Sequence, residues 1–133
     1  MSTAPTDLSP AALDFVTARH LATLTTLRPD GTPHVVPVGA TFDPETLTAR
    51  VISSRTSRKV RNVVEAGPDG ARVALCQVDR ARWATLEGVA TVSQDPDKVA
   101  EGVARYTERY RPPRVNPDRV VIEIRVDRAL GRA

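Results

Sequence analysis

The sequence predicts a mainly β domain: six antiparallel strands in a closed or split barrel, with helices at its periphery. Three observations carry this. Apolar residues recur with period two, or as short β-rich runs, in six separate stretches. Tight turns carrying Pro, Asp and Gly join many of them, where a parallel sheet would need repeated crossovers. Three helical segments are interposed singly, in the order helix, three strands, helix, two strands, helix, strand.

Ser9-Pro10 followed by Ala11 to Val16 reads as a capped helix with proline at its first position, ending near Arg19-His20. From His20 the period becomes two. Leu21, Thr23, Thr25 and Leu27 alternate with Ala22, Leu24 and Thr26, giving apolar character on both faces. Arg28-Pro-Asp-Gly-Thr-Pro33 is a turn, and His34 to Phe42 the return strand. Within that strand Pro37 lacks an N–H and Gly39 lacks a side chain, which marks an irregular or edge segment open to a ligand. After a turn at Asp43-Pro-Glu-Thr, Leu47 to Ile52 is the third strand of an expected meander.

A short helix follows, with Val60, Val63 and Val64 as its apolar positions and Thr56 or Ser57 as its cap. Gly67-Pro68 stops it. Ala71 to Val78 and Trp83 to Ser93 are the fourth and fifth strands, with a bulge expected at Gly88. Asp95-Pro-Asp opens a helix carrying Val99, Val103, Tyr106 and Tyr110 on one face, and Pro112-Pro113 closes it. Val120 to Val126 is the last strand. Residues 1–8 are expected to be a flexible lead-in, and 9–133 a single domain.

Composition excludes several functions. The chain has 133 residues, one domain's worth. A net charge of +3, with acids widely spread, is too small for a general nucleic-acid binder. Aromatic residues are too few for single-strand stacking platforms. Cys76 is the single cysteine, in an apolar run, so it reads as a small core residue. No intrachain disulfide can form, and no signal peptide or membrane-length apolar run is evident, so a cytoplasmic location is expected. No nucleophile elbow, Walker pattern, dinucleotide fingerprint or metal-ligand spacing occurs. His20 reads as structural; His34, at the start of the Pro37 strand, is a candidate ligand contact.

The informative stretch is Val51 to Asn62. Arg55, Arg58, Lys59 and Arg61 crowd the start of a helix with no acid between them. A helix N-terminus carries partial positive charge and favours acids in its first turn. A bound anion at the strand–helix junction would explain the reversal: free N–H groups, the Ser57 hydroxyl, Arg58 and Lys59 would converge on it, with Asn62 tying the loop down. A solvated basic face is the plain alternative. Trp83 is core by default, but beside Arg80 and Arg82 it could cover a planar ring.

The run from His20 to Val38, together with Thr41-Phe-Asp, Ser57-Arg-Lys-Val-Arg-Asn62, Trp83 and Leu86-Glu-Gly88, resembles the pyridoxamine 5′-phosphate oxidase-like flavin and deazaflavin split β-barrels. The segment Arg105 to Glu123 is most similar to the actinobacterial deazaflavin-dependent branch, in particular its F420-dependent biliverdin reductases. The likeness runs over nearly the whole chain after about residue 8.

The resemblance implies a homodimer with two cofactor sites at the subunit interface and coenzyme F420 as cofactor, FMN being the alternative. Ser57, Arg58, Lys59 and Asn62 would hold the phosphate region. Val36, Pro37 (through its backbone), Val38 and Gly39, with Ile52 and Ser53, would line the ring. Gln77 and Trp83 would come from the partner. Hydride transfer to a conjugated acceptor, biliverdin above all, is implied, with Arg55, Arg80, Arg82 and Arg111 as candidate contacts for a tetrapyrrole's carboxylates. No side chain is identified as catalytic, because the cofactor carries the hydride. The competing readings are an FMN enzyme of the pyridoxamine phosphate oxidase type, an F420 reductase with another substrate, and a non-catalytic cofactor-storage dimer. None involves nucleic acid, a membrane or a metal.

Overall fold

In the computed structural model, which describes residues 2–18 and 20–132, the chain forms one curled antiparallel sheet with three α-helices. The elements in order are β1 (Ser2–Thr3), α1 (Pro10–Thr17), β2 (Ala22–Leu27), β3 (Pro33–Val38), β4 (Ala40–Asp43), β5 (Thr48–Ser54), α2 (Arg58–Glu65), β6 (Ala71–Asp79), β7 (Arg82–Ser93), α3 (Pro96–Arg109) and β8 (Arg119–Arg132). The strand order is β3-β2-β6-β7-β8-β5-β4, with β1 added to β8. The fold is therefore the expected mainly β barrel, and the order shows it to be split: β3 and β4, the two ends of the sheet, are consecutive in the chain but unpaired.

Eight strands replace the expected six, for two reasons. The stretch from His34 to Phe42 breaks at Gly39 into β3 and β4. Residues 2–8, expected to be loose, instead carry β1, which pairs with Leu130 and Ala129 of β8, and a 3-10 turn at Pro5–Asp7. The expected meander is also corrected. β3 pairs with β2 and β4 with β5, so the chain crosses from one end of the sheet to the other at Gly39.

Local chemistry explains the remaining boundaries. The Ser9 side chain accepts the Ala12 N–H and starts α1. Asp95 does the same for Asp97 at the start of α3. Gly31, at φ +86°, lets the β2–β3 turn close. Asp43 accepts from the Glu45 N–H and the Thr46 hydroxyl, and pairs with Arg105 of α3 at 3.1 Å. The β2 face carrying Ala22, Leu24 and Thr26 is buried, while Leu21 and Leu27 are exposed. The apolar character on both faces is thus one core face and one uncovered face. On α2, Val60 and Val63 are buried as expected, but Val64 is exposed and Asn62 takes the inner position.

Leu24, Val51, Ile122 and Ile124 fill the barrel, and Phe15 of α1 closes one side. Burial of each such side chain contributes about 1.5–3 kcal/mol. Glycines set two close contacts. On α3, Gly102 lies against Ile52 and Val121, so that the helix seats directly on β5 and β8. Gly88 marks the expected bulge: the register between β7 and β8 shifts between Glu87 and Gly88. A Cβ at Gly88 would lie 2.1 Å from the Arg125 carbonyl oxygen, which belongs to backbone and has little freedom to move. Gly88→Ala should therefore destabilise the fold by about 2–4 kcal/mol, read as a lowered chemical-denaturation midpoint. Unchanged stability would show that β8 yields at this point.

Candidate anion and ring cleft

The split creates the site. β3 is an end strand, so one of its backbone edges has no sheet partner. β4 pairs with β5 only from Thr48 to Val51, which leaves Ile52, Ser53 and Ser54 without a neighbour on that side. Between these edges lies an open cleft of about 360 Å³, within the size range of small-molecule sites. Pro37, Val38 and Gly39 form one wall, and Ile52, Ser53 and Ser54 the other. Lys59 stands at the α2 end, while Tyr106, Pro113, Asn116 and Arg119 form the outer rim.

The electrostatics are one-signed. Lys59 and Arg119 both line the cleft, and no acid does. Lys59 has no carboxylate partner among the described residues, and burial pulls its ammonium below the usual lysine range. A half-buried cation without a partner is costly unless something outside the chain neutralises it. Ser57 occupies the cap position of α2 but makes no side-chain bond to the helix. Its hydroxyl lies 3.0 Å from that of Ser53 instead. The first-turn N–H groups of α2 thus receive no side-chain cap, and α2 has no acid in its first turn. These are donor groups for an anion, flanked by two strand edges whose backbone can face a flat ring. Residues and ligand chemistry fit: the donors suit a phosphate, and the edges suit a planar conjugated system.

Of the residues singled out from sequence, six line this cleft: Pro37, Val38, Gly39, Ile52, Ser53 and Lys59. Ser57 touches it through Ser53. Five others are engaged elsewhere. Val36 packs against the barrel core. Arg58 pairs with Glu65 seven residues along the same helix. Asn62 is buried and donates to Thr26 Oγ1 at 2.9 Å, fastening α2 to β2. Gln77 is also buried; its amide donates to the Phe15 carbonyl and accepts from Arg109. Trp83 lies on β7 opposite Val78, beside a separate cleft that also contains Leu8 and Leu130. Arg55 pairs with Asp118 near the rim, whereas Arg82 stacks over the Phe15 ring at 4.6 Å.

Sequence reading did not single out Ser54, Tyr106, Pro113, Asn116 or Arg119 as site residues. Tyr106 looks like one more apolar position on α3 until its ring is found against Gly39, 2.8 Å from where a Cβ would stand. Asn116 belongs to an Asn-Pro-Asp turn, the one local signal available. Its side chain donates to Ser54 Oγ at 2.8 Å and accepts the Asp118 N–H, which folds the 110–118 segment back onto the end of β5.

Lys59→Met should leave the melting temperature unchanged or slightly raised, since a desolvated unpaired charge is removed. It should weaken a phosphate-bearing ligand about tenfold to a hundredfold in a binding titration. Lost stability with unchanged affinity would mean that Lys59 serves the fold.

Comparison with known proteins agrees with this architecture. A family model described as pyridoxamine 5′-phosphate oxidase matches residues 8–132. An F420H(2)-dependent biliverdin reductase from Mycobacterium tuberculosis (strain CDC 1551 / Oshkosh) is 53% identical over 128 residues, 96% of this chain and 90% of that protein. Among solved structures, an F420 reductase superposes with a TM-score of 0.72 at 24% identity, covering 92% of this chain and 98% of that one. A conserved hypothetical protein from Mycobacterium tuberculosis superposes with a TM-score of 0.75 at 26% identity, covering 93% and 84%. The split barrel, the cleft at its opening and the match across residues 8–132 together place this chain in the pyridoxamine 5′-phosphate oxidase family.

Proposed function

We propose that this protein is an oxidoreductase that uses reduced coenzyme F420 to reduce biliverdin to bilirubin. The observation that carries the reading is the acid-free cleft with its unpaired Lys59, in a chain 53% identical to an F420H(2)-dependent biliverdin reductase. Bound F420 supplies a hydride to the conjugated acceptor. The chain's own residues bind and orient. Lys59, the Ser53–Ser57 hydroxyl pair and the open N–H groups of α2 take the phosphate. The edges of β3 and β5 hold the ring plane. Tyr106 forms an apolar wall over Gly39. Arg119 offers a fork for a carboxylate of the cofactor tail or of a tetrapyrrole. Among the site residues read from sequence that do not line the cleft, Arg58 and Asn62 share α2 with Lys59, Arg58 paired with Glu65 and Asn62 fastening the helix to Thr26 of β2.

A homodimer belongs to this proposal. Leu27, Val35 and Val78 are exposed on β2, β3 and β6, with Leu21 just before β2. Their ladder positions put Leu27, Val35 and Val78 on the outer face of the sheet, with Pro37 among them. An uncovered apolar face next to the cleft suits a second copy. Trp83 shares that face through its pairing with Val78, so a partner seated there would meet it. We place the protein in the cytoplasm; among the described residues no helix is long and apolar enough to cross a membrane.

Titration of purified protein with F420 and with FMN tests the cofactor, and turnover of biliverdin with reduced F420 tests the reaction. Micromolar or tighter F420 binding and bilirubin formation are expected. Tight FMN binding without F420 binding would move the protein to the FMN reading, and F420 binding without turnover of any conjugated acceptor to the storage reading. Sedimentation equilibrium should give a dimer, and Val35→Lys should convert it to a monomer; a monomeric wild type would sink the shared-interface arrangement.

A further inference from the structure

We propose that His34 is a positioning residue of the anion clamp: neutral beneath the first turns of α2, it takes up a proton when a phosphate-bearing ligand binds at Lys59. This rests on the cofactor reading above and adds a proton to its binding equilibrium. The geometry comes from three links. His34 of β3 stands opposite Thr26 of β2 in the ladder, so the two side chains share a face. Thr26 is only 1% exposed, and its hydroxyl accepts from Asn62 of α2 at 2.9 Å. Asn62 follows Lys59 by three residues, which puts both on one side of the helix. His34 therefore lies beside the part of α2 that presents Lys59 to the cleft. Here the polar groups are incompletely paired. Nδ1 of His34 and Oδ1 of Asn62 are both buried without a hydrogen-bond partner among the described residues. Such atoms call for an explanation, because burying an unpaired polar group is costly.

The surrounding charges supply one. Burial, then Arg28 at the end of β2, then Lys59 and Arg58 of α2 all hold the imidazole below the usual histidine range. Glu65 of α2 pairs with Arg58, and Asp30 of the β2–β3 turn accepts from Thr32. No carboxylate acts on His34 from β2, β3 or α2. His34 thus favours its neutral form in the free protein, and of the cations around it Lys59 has no carboxylate partner among the described residues. A phosphate at Lys59 brings negative charge among these cations. It favours imidazolium, and His34's proton affinity rises. By linkage, ligand affinity then grows as pH falls through the window between the free and bound midpoints, and is flat above and below it. The protonated ring in turn adds a cation behind Lys59, drawing the bound phosphate toward the start of α2.

The chain has two histidines, His20 and His34, which makes the test direct. Imidazole proton resonances are followed by NMR over about pH 5 to 8, with His20→Gln assigning the pair. Saturating F420 should raise the His34 midpoint by about 0.5–1 pH unit, a three- to tenfold gain in proton affinity. F420 affinity should strengthen on acidification about three- to tenfold more in wild type than in His34→Gln. An unmoved His34 midpoint with F420 bound, or identical pH profiles for the two proteins, overturns the proposal. F420 that binds at no pH overturns the cofactor reading instead, and this inference with it.

Discussion

The crossing at Gly39–Ala40 is the constraint on which the rest depends. Three side chains from the last turn of α3 and its cap hold it. The Tyr106 ring fills the space where a Cβ at Gly39 would stand. The Tyr110 hydroxyl lies 2.8 Å from the Ala40 carbonyl and 2.9 Å from that of His20, sharing its proton between them. The Arg109 guanidinium, half-buried, donates to the carbonyls of Ala40 and Ala18 and to the Gln77 amide oxygen. A buried guanidinium is tolerable only when its donors are satisfied, and here neutral oxygens satisfy them. The end of α1, the start of β4, β6 and α3 are therefore tied at one point.

That tie has a functional consequence. With the chain pinned at Gly39, β3 and β4 diverge to opposite ends of the sheet, and the barrel opens beside them. The opening leaves backbone edges free on β3 and at the end of β5. Free edges elsewhere invite unwanted strand pairing. Here the 110–119 segment and α2 flank them and turn them into the walls of a cleft. The charge reversal at the start of α2 acts on the same place. Arg58 neutralises itself on Glu65, Arg61 faces solvent, and Lys59 alone of the three enters the cleft. Of four basic residues in sequence, one enters the cleft, and it does so without a carboxylate partner among the described residues.

Much of this was legible beforehand where the signal was local. Ser9, Pro10, Asp95 and Pro96 mark helix starts by capping chemistry that acts within one turn. The Gly88 bulge and the turn at Gly31 follow from what glycine alone permits. Six of the twelve candidate site residues line the cleft because they sit on two strands and a helix start that the fold brings together. Those placed elsewhere carry ambiguous chemistry. Asn62 and Gln77 are amides, as suited to fastening a buried helix or a barrel mouth as to holding a ligand. Arg58 has an acid two turns along its own helix, and a long flexible side chain reaches it.

By itself the sequence determined the mainly β class, the three helices, the anomalous cations at the start of α2 and the chemical character of what they would attract. These depend on periodicity, caps and local charge, all of which act over a few residues. Only the tertiary structure decided that the His34–Phe42 stretch is two strands at opposite ends of one sheet, and that Tyr106, Asn116 and Arg119 complete the cleft. Those facts rest on contacts between residues 62 to 91 positions apart, such as Asn116 with Ser54, Tyr110 with Ala40 and Arg109 with Ala18. No local pattern encodes them. The crossing depends on Gly39 having no side chain, so that the Tyr106 and Tyr110 rings of α3 and its cap occupy the space there.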